Sequence, residues 1–207
     1  MKRSVAAGVL AVGIAAQFGV IGAMIARREL TLRHGEVYRF KTAPVDPYDA
    51  FRGRYVALRL QDASQMTEVR FVRNQRVYAR VGTDTNGFAV IEKIAAQAEP
   101  EGVWFKTRVS YCREDWGEPK GTNRAMVLTG RYRTRLDLPF DRYYMAEKLA
   151  PEAENAYRDA NRRGATNDAA AVVRIWRGFP VLAGVEIGGR RIEEVAREKK
   201  GGEEKGD

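Results

Sequence analysis

Catalytic chemistry needs particular side chains within reach of one another, and this chain is short of several of them. It has one histidine, His34, and one cysteine, Cys112. Zinc sites gather Cys, His or carboxylate ligands at close spacing, so the usual soft donors cannot assemble one here. The serines are Ser4, Ser64 and Ser110. Ser4 falls in an apolar run, the other two stand outside any G-x-S-x-G, and a triad has only His34 to draw on. A Ser-Lys pair stays open, because its members need not be close in sequence. Gly53, Gly82 and Gly87 read as turn residues rather than as a phosphate-cradling loop. Glu147, Glu152 and Glu154 gather near one helix start, where an acid/base pair competes with simple capping and solvation. His34, between Arg33 and Gly35, suits a turn. Glu114, Asp115 and Trp116, beside Gly117 and Pro119, suit a loop. The expectation is a protein without catalytic residues, metal or cofactor.

The most tightly specified stretch is residues 35–60, GEVYRFKTAPVDPYDAFRGRYVALRL. Pro44 and Pro47 interrupt an alternating pattern. Asp46 precedes Pro47, which pushes it toward an extended conformation, and its carboxylate suits a nearby loop donor. Arg52 suits pairing with a carboxylate. Gly53 opens the next strand, where the missing Cβ permits a positive φ or a close backbone approach. These residues describe a crossover between two strands. It reads as a loop that closes the sheet, with a groove or partner surface as the alternative.

The element that would position this domain comes first in the chain. Residues 4–26 carry no Asp, Glu, Lys, Arg or His, and Gln17 is their only strongly polar side chain. At ~1.5 Å per residue, a helix of that length crosses a hydrocarbon core of ~30 Å. It also satisfies its own backbone there. Gly8, Gly13, Gly19 and Gly22 are tolerated in such helices. A soluble core helix would need a polar face, and none exists. A cleaved signal peptide is the rival, but Gly22-Ala23 and Ile25-Ala26 give no clean A-x-A site and the apolar run exceeds a usual h-region. The expectation is an uncleaved signal-anchor over residues 1–28. Lys2 and Arg3 nearly balance Arg27, Arg28 and Arg33, so flanking charge decides little. The short preceding tail and the large following domain place that domain outside.

From Arg27 onward, removing Lys2 and Arg3 leaves 34 basic against 27 acidic residues, a net +7. Arginines are densest at Arg52, Arg54, Arg59, Arg70, Arg73, Arg76 and Arg80. Such a surface is either simply solvated or drawn to anionic lipid or an acidic partner. With an anchor present and no nucleic-acid module, nucleic acid is not an expected partner. The lone Cys112 forms no internal disulfide and reads as a small buried hydrophobe on a strand.

Period-two alternation dominates the rest. Tyr38 and Phe40 share a face, as do Val56, Leu58 and Leu60, and Val77, Ala79 and Val81. Val103, Phe105, Thr107, Val109 and Tyr111 share another, opposite Lys106, Arg108 and Ser110. Further strands are expected over residues 124–132, 171–177 and 181–187. Hairpin turns are expected at residues 82–87, 178–180 and 188–189. Residues 151–161, PEAENAYRDAN, predict a short helix with Ala153, Ala156, Tyr157 and Ala160 on its inner face. The fold expected is mainly β. One N-terminal transmembrane helix is followed by a single β-rich sandwich or partly open barrel over residues 29–196, with one short inserted helix. A disordered charged tail over 197–207 completes it.

The 35–60 stretch resembles the GDYXXLXY family, named for a Gly-Asp-Tyr-x-x-Leu-x-Tyr signature. Pro44, Asp46 and Pro47 match its lead-in, and Arg52, Gly53, Tyr55 and Leu58 match its core. Arg54 stands where the family has an acidic residue, and Leu60 where it ends on tyrosine. Asp141-Arg142-Tyr143-Tyr144 with Glu147 resembles a later aromatic-acidic element, and residues 185–192 resemble the final hairpin. The resemblance implies a membrane-anchored bacterial domain found near multi-pass membrane proteins, with no catalytic residues. The function expected is an extracytoplasmic accessory domain on the bacterial inner membrane, acting with a multi-pass membrane partner. Two other readings stand beside it. One is an anchored β-fold hydrolase, since the Pro-rich turn before Arg-Gly-x-Tyr-Val resembles the entry to a signal peptidase barrel, although the serine such enzymes require is missing. The other is a module binding anionic lipid or glycan through arginines and tyrosines.

Overall fold

The computed structural model describes residues 2–43, 55–58, 60–61, 63–117, 127–162 and 169–203. Helix α1, Lys2–His34, runs for 33 residues without a break. Its stretch from Gly8 is long and apolar enough to cross a membrane, and every described side chain from Gly8 to Leu30 is exposed. Val9, Val12 and Phe18 are about 70% exposed, which no soluble core helix tolerates. The helix passes straight through the boundary expected at residue 28.

Among the described residues, eleven strands follow. Strand β1 (Glu36–Lys41) lies at the edge of a four-stranded antiparallel sheet, in the order β1, β9 (Ala169–Trp176), β10 (Phe179–Ile187), β11 (Arg190–Arg191). The β9–β10 and β10–β11 turns each have two residues, Arg177-Gly178 and Gly188-Gly189, all four at positive φ. Their backbone twist matches the strands they join, which is why glycine recurs there. A five-stranded sheet, in the order β3 (Ser64–Thr67), β7 (Val127–Asp137), β6 (Val103–Gly117), β4 (Arg76–Thr83), β5 (Ala89–Ala95), curls into a nearly closed barrel. The Gln65 amide on β3 donates to the Ile91 and Glu92 carbonyls of β5 at 3.0 and 2.8 Å. A side chain thus joins the two edges that no ladder joins. Strands β2 (Tyr55–Ala57) and β8 (Arg142–Tyr144) form a separate pair.

One core runs through both sheets. Val77, Ala79, Val81, Phe105 and Val109 meet Phe40, Val173, Ile175 and Val185, and Phe140 stands between Phe40 and Phe105 with ring centroids 5.2 and 5.9 Å away. Val56, Leu58 and Leu60 are buried on the common face their spacing requires. Helix α2 (Ala150–Ala160) buries Ala153, Ala156 and Tyr157 as its pattern predicts. Its end is held by Asn161, whose amide donates to the Tyr157 carbonyl at 3.0 Å. The buried Thr42 hydroxyl lies 3.0 Å from Asn161 Oδ1 and 2.9 Å from the Ala169 carbonyl. Buried polar groups need such partners.

Four expectations need correction. Residues 197–203 are helical: α3 (Ile192–Glu203) buries Ile192 and Ala196, one turn apart, and packs on α2 and β10. The Lys199 amine donates to Asp159 at 2.8 Å and Arg190 to Glu198 at 2.6 Å, so the tail's charges tie it down. Glu114, Asp115 and Trp116 lie in β6, not in a loop. The strand expected over residues 124–132 continues to Asp137 as β7, and residues 124–126 lie outside the described residues. Last, the common face in β6 ends at Val109. A bulge at Ser110 shifts the register, which turns the side chains over until a second bulge at Asp115. Cys112, not Tyr111, faces the core, where Thr134 donates to its sulfur at 3.3 Å. Tyr111 instead lies under the Arg113 guanidinium, 5.2 Å from its ring centre. The opposite face of β6 is not wholly exposed either, since Trp104 is buried and donates its indole N–H to the Glu101 carbonyl at 2.7 Å.

Candidate functional site

Pro44, Asp46, Pro47, Arg52 and Gly53 lie outside the described residues. Tyr55 and Leu58 lie within them. Tyr55 opens β2 opposite Tyr144 on β8, in the register Tyr55↔Tyr144, Val56↔Tyr143, Ala57↔Arg142. Leu58 is buried, and its backbone N–H donates to the Asp141 carbonyl at 2.7 Å. The described part of the signature and the aromatic element containing Arg142 and Tyr143 therefore form one small sheet, although far apart in sequence. Glu147 stays apart, exposed in a single 3-10 turn, Glu147–Leu149.

Beside this pair runs a groove. Its half beside α1 is a cavity of about 670 Å³, walled by Arg27 and Arg28 of α1, Lys106 of β6, residues 139–144 and residues 178–182. A second cavity of about 710 Å³ shares Lys106, Pro139, Asp141 and Arg142 with it and continues toward Arg76, Arg108 and Asp137. Several contacts hold the two ends of the first cavity in place. The Arg27 guanidinium lies 4.3 Å from the Phe179 ring centre, a cation–π distance. The Lys106 N–H donates to the Gly178 carbonyl at 3.2 Å, and so brings the barrel to the β9–β10 turn.

The walls are basic. Arg27, Arg28, Lys106 and Arg142 face a single carboxylate, Asp141, which lies 3.9 Å from Arg142. Among the described residues, Arg27, Arg28 and Lys106 take part in no ion pair, whereas Arg39 is matched by Glu186 and Arg80 by Glu92. Tyr143 closes the groove. Its hydroxyl donates to Glu193 of α3 in a short bond. Burial first, then that bond and the charge of Glu193, push the Tyr143 phenol up to about 12, against a smaller pull from Arg191. Tyr143 thus remains a neutral donor at any physiological pH.

Ser64 is half-buried on β3 and Ser110 is exposed at the β6 bulge. Among the described residues neither hydroxyl bonds to a lysine. His34 ends α1, its ring 6.2 Å from that of Trp176. Glu154 pairs with Arg158 along α2, while the Glu152 Oε2 atom is buried without a hydrogen-bond partner among the described residues.

The family model described as GDYXXLXY protein matches residues 17–185. The chain belongs to the GDYXXLXY family. No curated protein and no solved structure matches it. In this GDYXXLXY protein the matched region takes in the second half of α1 and both halves of the groove. Sequence reasoning missed Lys106 and the Phe179 wall as parts of one site. The one signal pointing toward it was the Arg27-Arg28 pair directly after the apolar run, which marks where a membrane surface would lie.

Proposed function

We propose that this GDYXXLXY protein is a non-enzymatic accessory domain, tethered to the outer face of a bacterial inner membrane and acting with a membrane-protein partner. One observation carries the reading. The apolar helix runs unbroken into the domain, so a basic, aromatic-walled groove is held at the level of Arg27 and Arg28. With residues 4–26 spanning the bilayer, that level is the headgroup layer. A groove built into the membrane-proximal rim serves recognition at the bilayer surface, and basic walls suit an acidic loop or headgroup there. Tyr144, 65% exposed beside it, gives the rim an aromatic contact of the kind enriched at interfaces.

Photocrosslinking in intact membranes tests the partner. A benzophenone side chain at Tyr144 is expected to trap a discrete membrane protein, while one at Asn86, in the exposed β4–β5 turn, traps none. Equal patterns from both positions would remove the groove from the proposal. Reporter fusions at Asp207 test sidedness, and cytoplasmic activity would overturn it. Intact-mass measurement tests retention of the anchor, and an amino terminus near Ala23 or Ala26 would overturn it.

A further inference from the structure

The groove's location and charge say more about its occupant than that it is a partner. The last turns of α1 are fixed to the domain, not hinged from it. The Gly35 N–H donates to the Thr31 carbonyl at 2.9 Å, and Thr31 is fully buried. A Cβ on Gly35 would stand 2.5 Å from that carbonyl and 3.0 Å from Arg174 Cβ, so helix end and sheet touch at backbone distance. Arg174 also donates to the Gly35 carbonyl at 3.4 Å. The 23 residues 4–26 rise ~34 Å, a little more than a hydrocarbon core, and put Arg27 in the headgroup layer. Phe179 and Lys106 sit at the same level through their contacts with Arg27 and Gly178. Trp176 stands beside them, packed on His34 and covered by Arg177 at 4.5 Å. Aromatic rings interleaved with arginines are what an interfacial belt requires.

We infer that the groove holds the phosphodiester headgroup of an anionic phospholipid from the surrounding leaflet. Arg27, Arg28 and Lys106 all line this cavity and supply three cations without a carboxylate partner among the described residues, the Lys106 ammonium lying 5.7 Å from the Tyr78 ring centre where the two cavities meet. Phosphate oxygens accept charge-assisted bonds from such groups. The acyl chains stay in the bilayer beside the exposed apolar face of α1, so only the headgroup enters the protein. A zwitterionic lipid brings its own ammonium group into a basic groove and is disfavoured by the same charges. The inference rests on the anchored reading above, but needs no protein partner.

The test uses the full chain in detergent, titrated with phosphatidylglycerol or phosphatidylcholine and read by native mass spectrometry. One phosphatidylglycerol is expected to be retained at least fivefold more strongly than phosphatidylcholine. The double variant Arg27→Gln, Lys106→Gln is expected to lose that preference, and Lys106→Arg to keep it. Arg70→Gln with Arg73→Gln removes the same charge away from the groove and is expected to change nothing. Equal retention of the two lipids, or equal loss in the Arg70/Arg73 variant, would overturn the inference. So would displacement of the bound lipid by millimolar glycerol phosphate, because a free phosphate would then be the natural occupant. The intact mass of the same sample reads whether residues 4–26 are retained, which separates a failure of anchoring from a failure of lipid binding.

Discussion

The two halves of β6 make an instructive pair. From Val103 to Val109 the strand lies beside β4, with Phe105 and Val109 sealed in the core. From Tyr111 onward, among the described residues, it pairs with β7 alone, through two bulges. Beyond the last β3–β7 pair, Thr67↔Tyr132, the ribbon is two strands wide among the described residues. There Trp116 and Leu128 face each other, 57% and 49% exposed. The first half pays for the fold by burial. The second turns only Cys112 toward the core, and its far end displays Trp116, with Leu128 of β7 opposite, to solvent. A two-stranded ribbon gains little stability on its own, and large exposed apolar side chains grouped together mark contact surfaces. The difference separates what holds the domain up from what it leaves exposed to solvent.

The largest effect expected on that contrast comes from Phe105→Ala, which leaves a cavity between the two sheets. It should cost about 3–5 kcal/mol, measured by denaturant unfolding of the full chain in detergent. A loss under 1 kcal/mol would mean that the barrel and the four-stranded sheet do not share a core. Next comes Gly35→Val, where the added carbons meet the Thr31 carbonyl. About 1–3 kcal/mol is expected, together with loosening of the anchor against β9, visible as faster amide exchange at residues 31–36. Unchanged exchange would show that helix and sheet are coupled elsewhere.

Tyr143→Phe removes the donor to the half-buried Glu193 and should cost about 1–3 kcal/mol. The pH dependence has a definite sign. Because the phenol is raised from 10.0 to about 12, its contribution is complete below pH 10 and is lost as pH climbs toward 12. The stability gap between parent and variant should therefore close over that range, and a gap that widens would contradict the assignment. Smallest is Trp116→Ala, with a stability change within ~0.5 kcal/mol. If the bare half of β6 is a contact surface, the same change should weaken crosslinking to the partner. A destabilisation rivalling that of Phe105→Ala would erase the contrast between the halves.

Much of the fold was legible because burial leaves a period. Val77, Ala79 and Val81 alternate and are buried, residues 151–160 repeat at helical spacing, and paired glycines sit where the strands turn back. The misreadings occur where that signal stops. Nothing at Ser110 announces a bulge, so Tyr111 seemed to continue the inner face. Residues 114–116 have solvent on both sides and carry no alternation. Helix α3 buries two residues of its first two turns among charges, too narrow a stripe to outweigh the polarity around it. The site was legible only in part. Tyr55, Leu58, Arg142 and Tyr143 meet around one small sheet, and nothing in their sequence positions requires it. Lys106 joins the groove through its contact with the β9–β10 turn, a tertiary event that local pattern does not record.

The uninterrupted passage of α1 into the sheet also gives the domain a compass bearing. A helix advances by ~100° and ~1.5 Å with each residue, and the seat at Gly35 transmits that rotation without slack. One residue inserted just before Arg27 would swing the groove through more than a quarter circle relative to the buried helix, while raising it by less than the width of a methyl group. Seven inserted residues would nearly restore the heading, two turns further from the membrane. On the anchored reading proposed above, the length of the helix encodes a direction as well as a depth: the heading of the groove in the plane of the membrane is written in the phase of the helix.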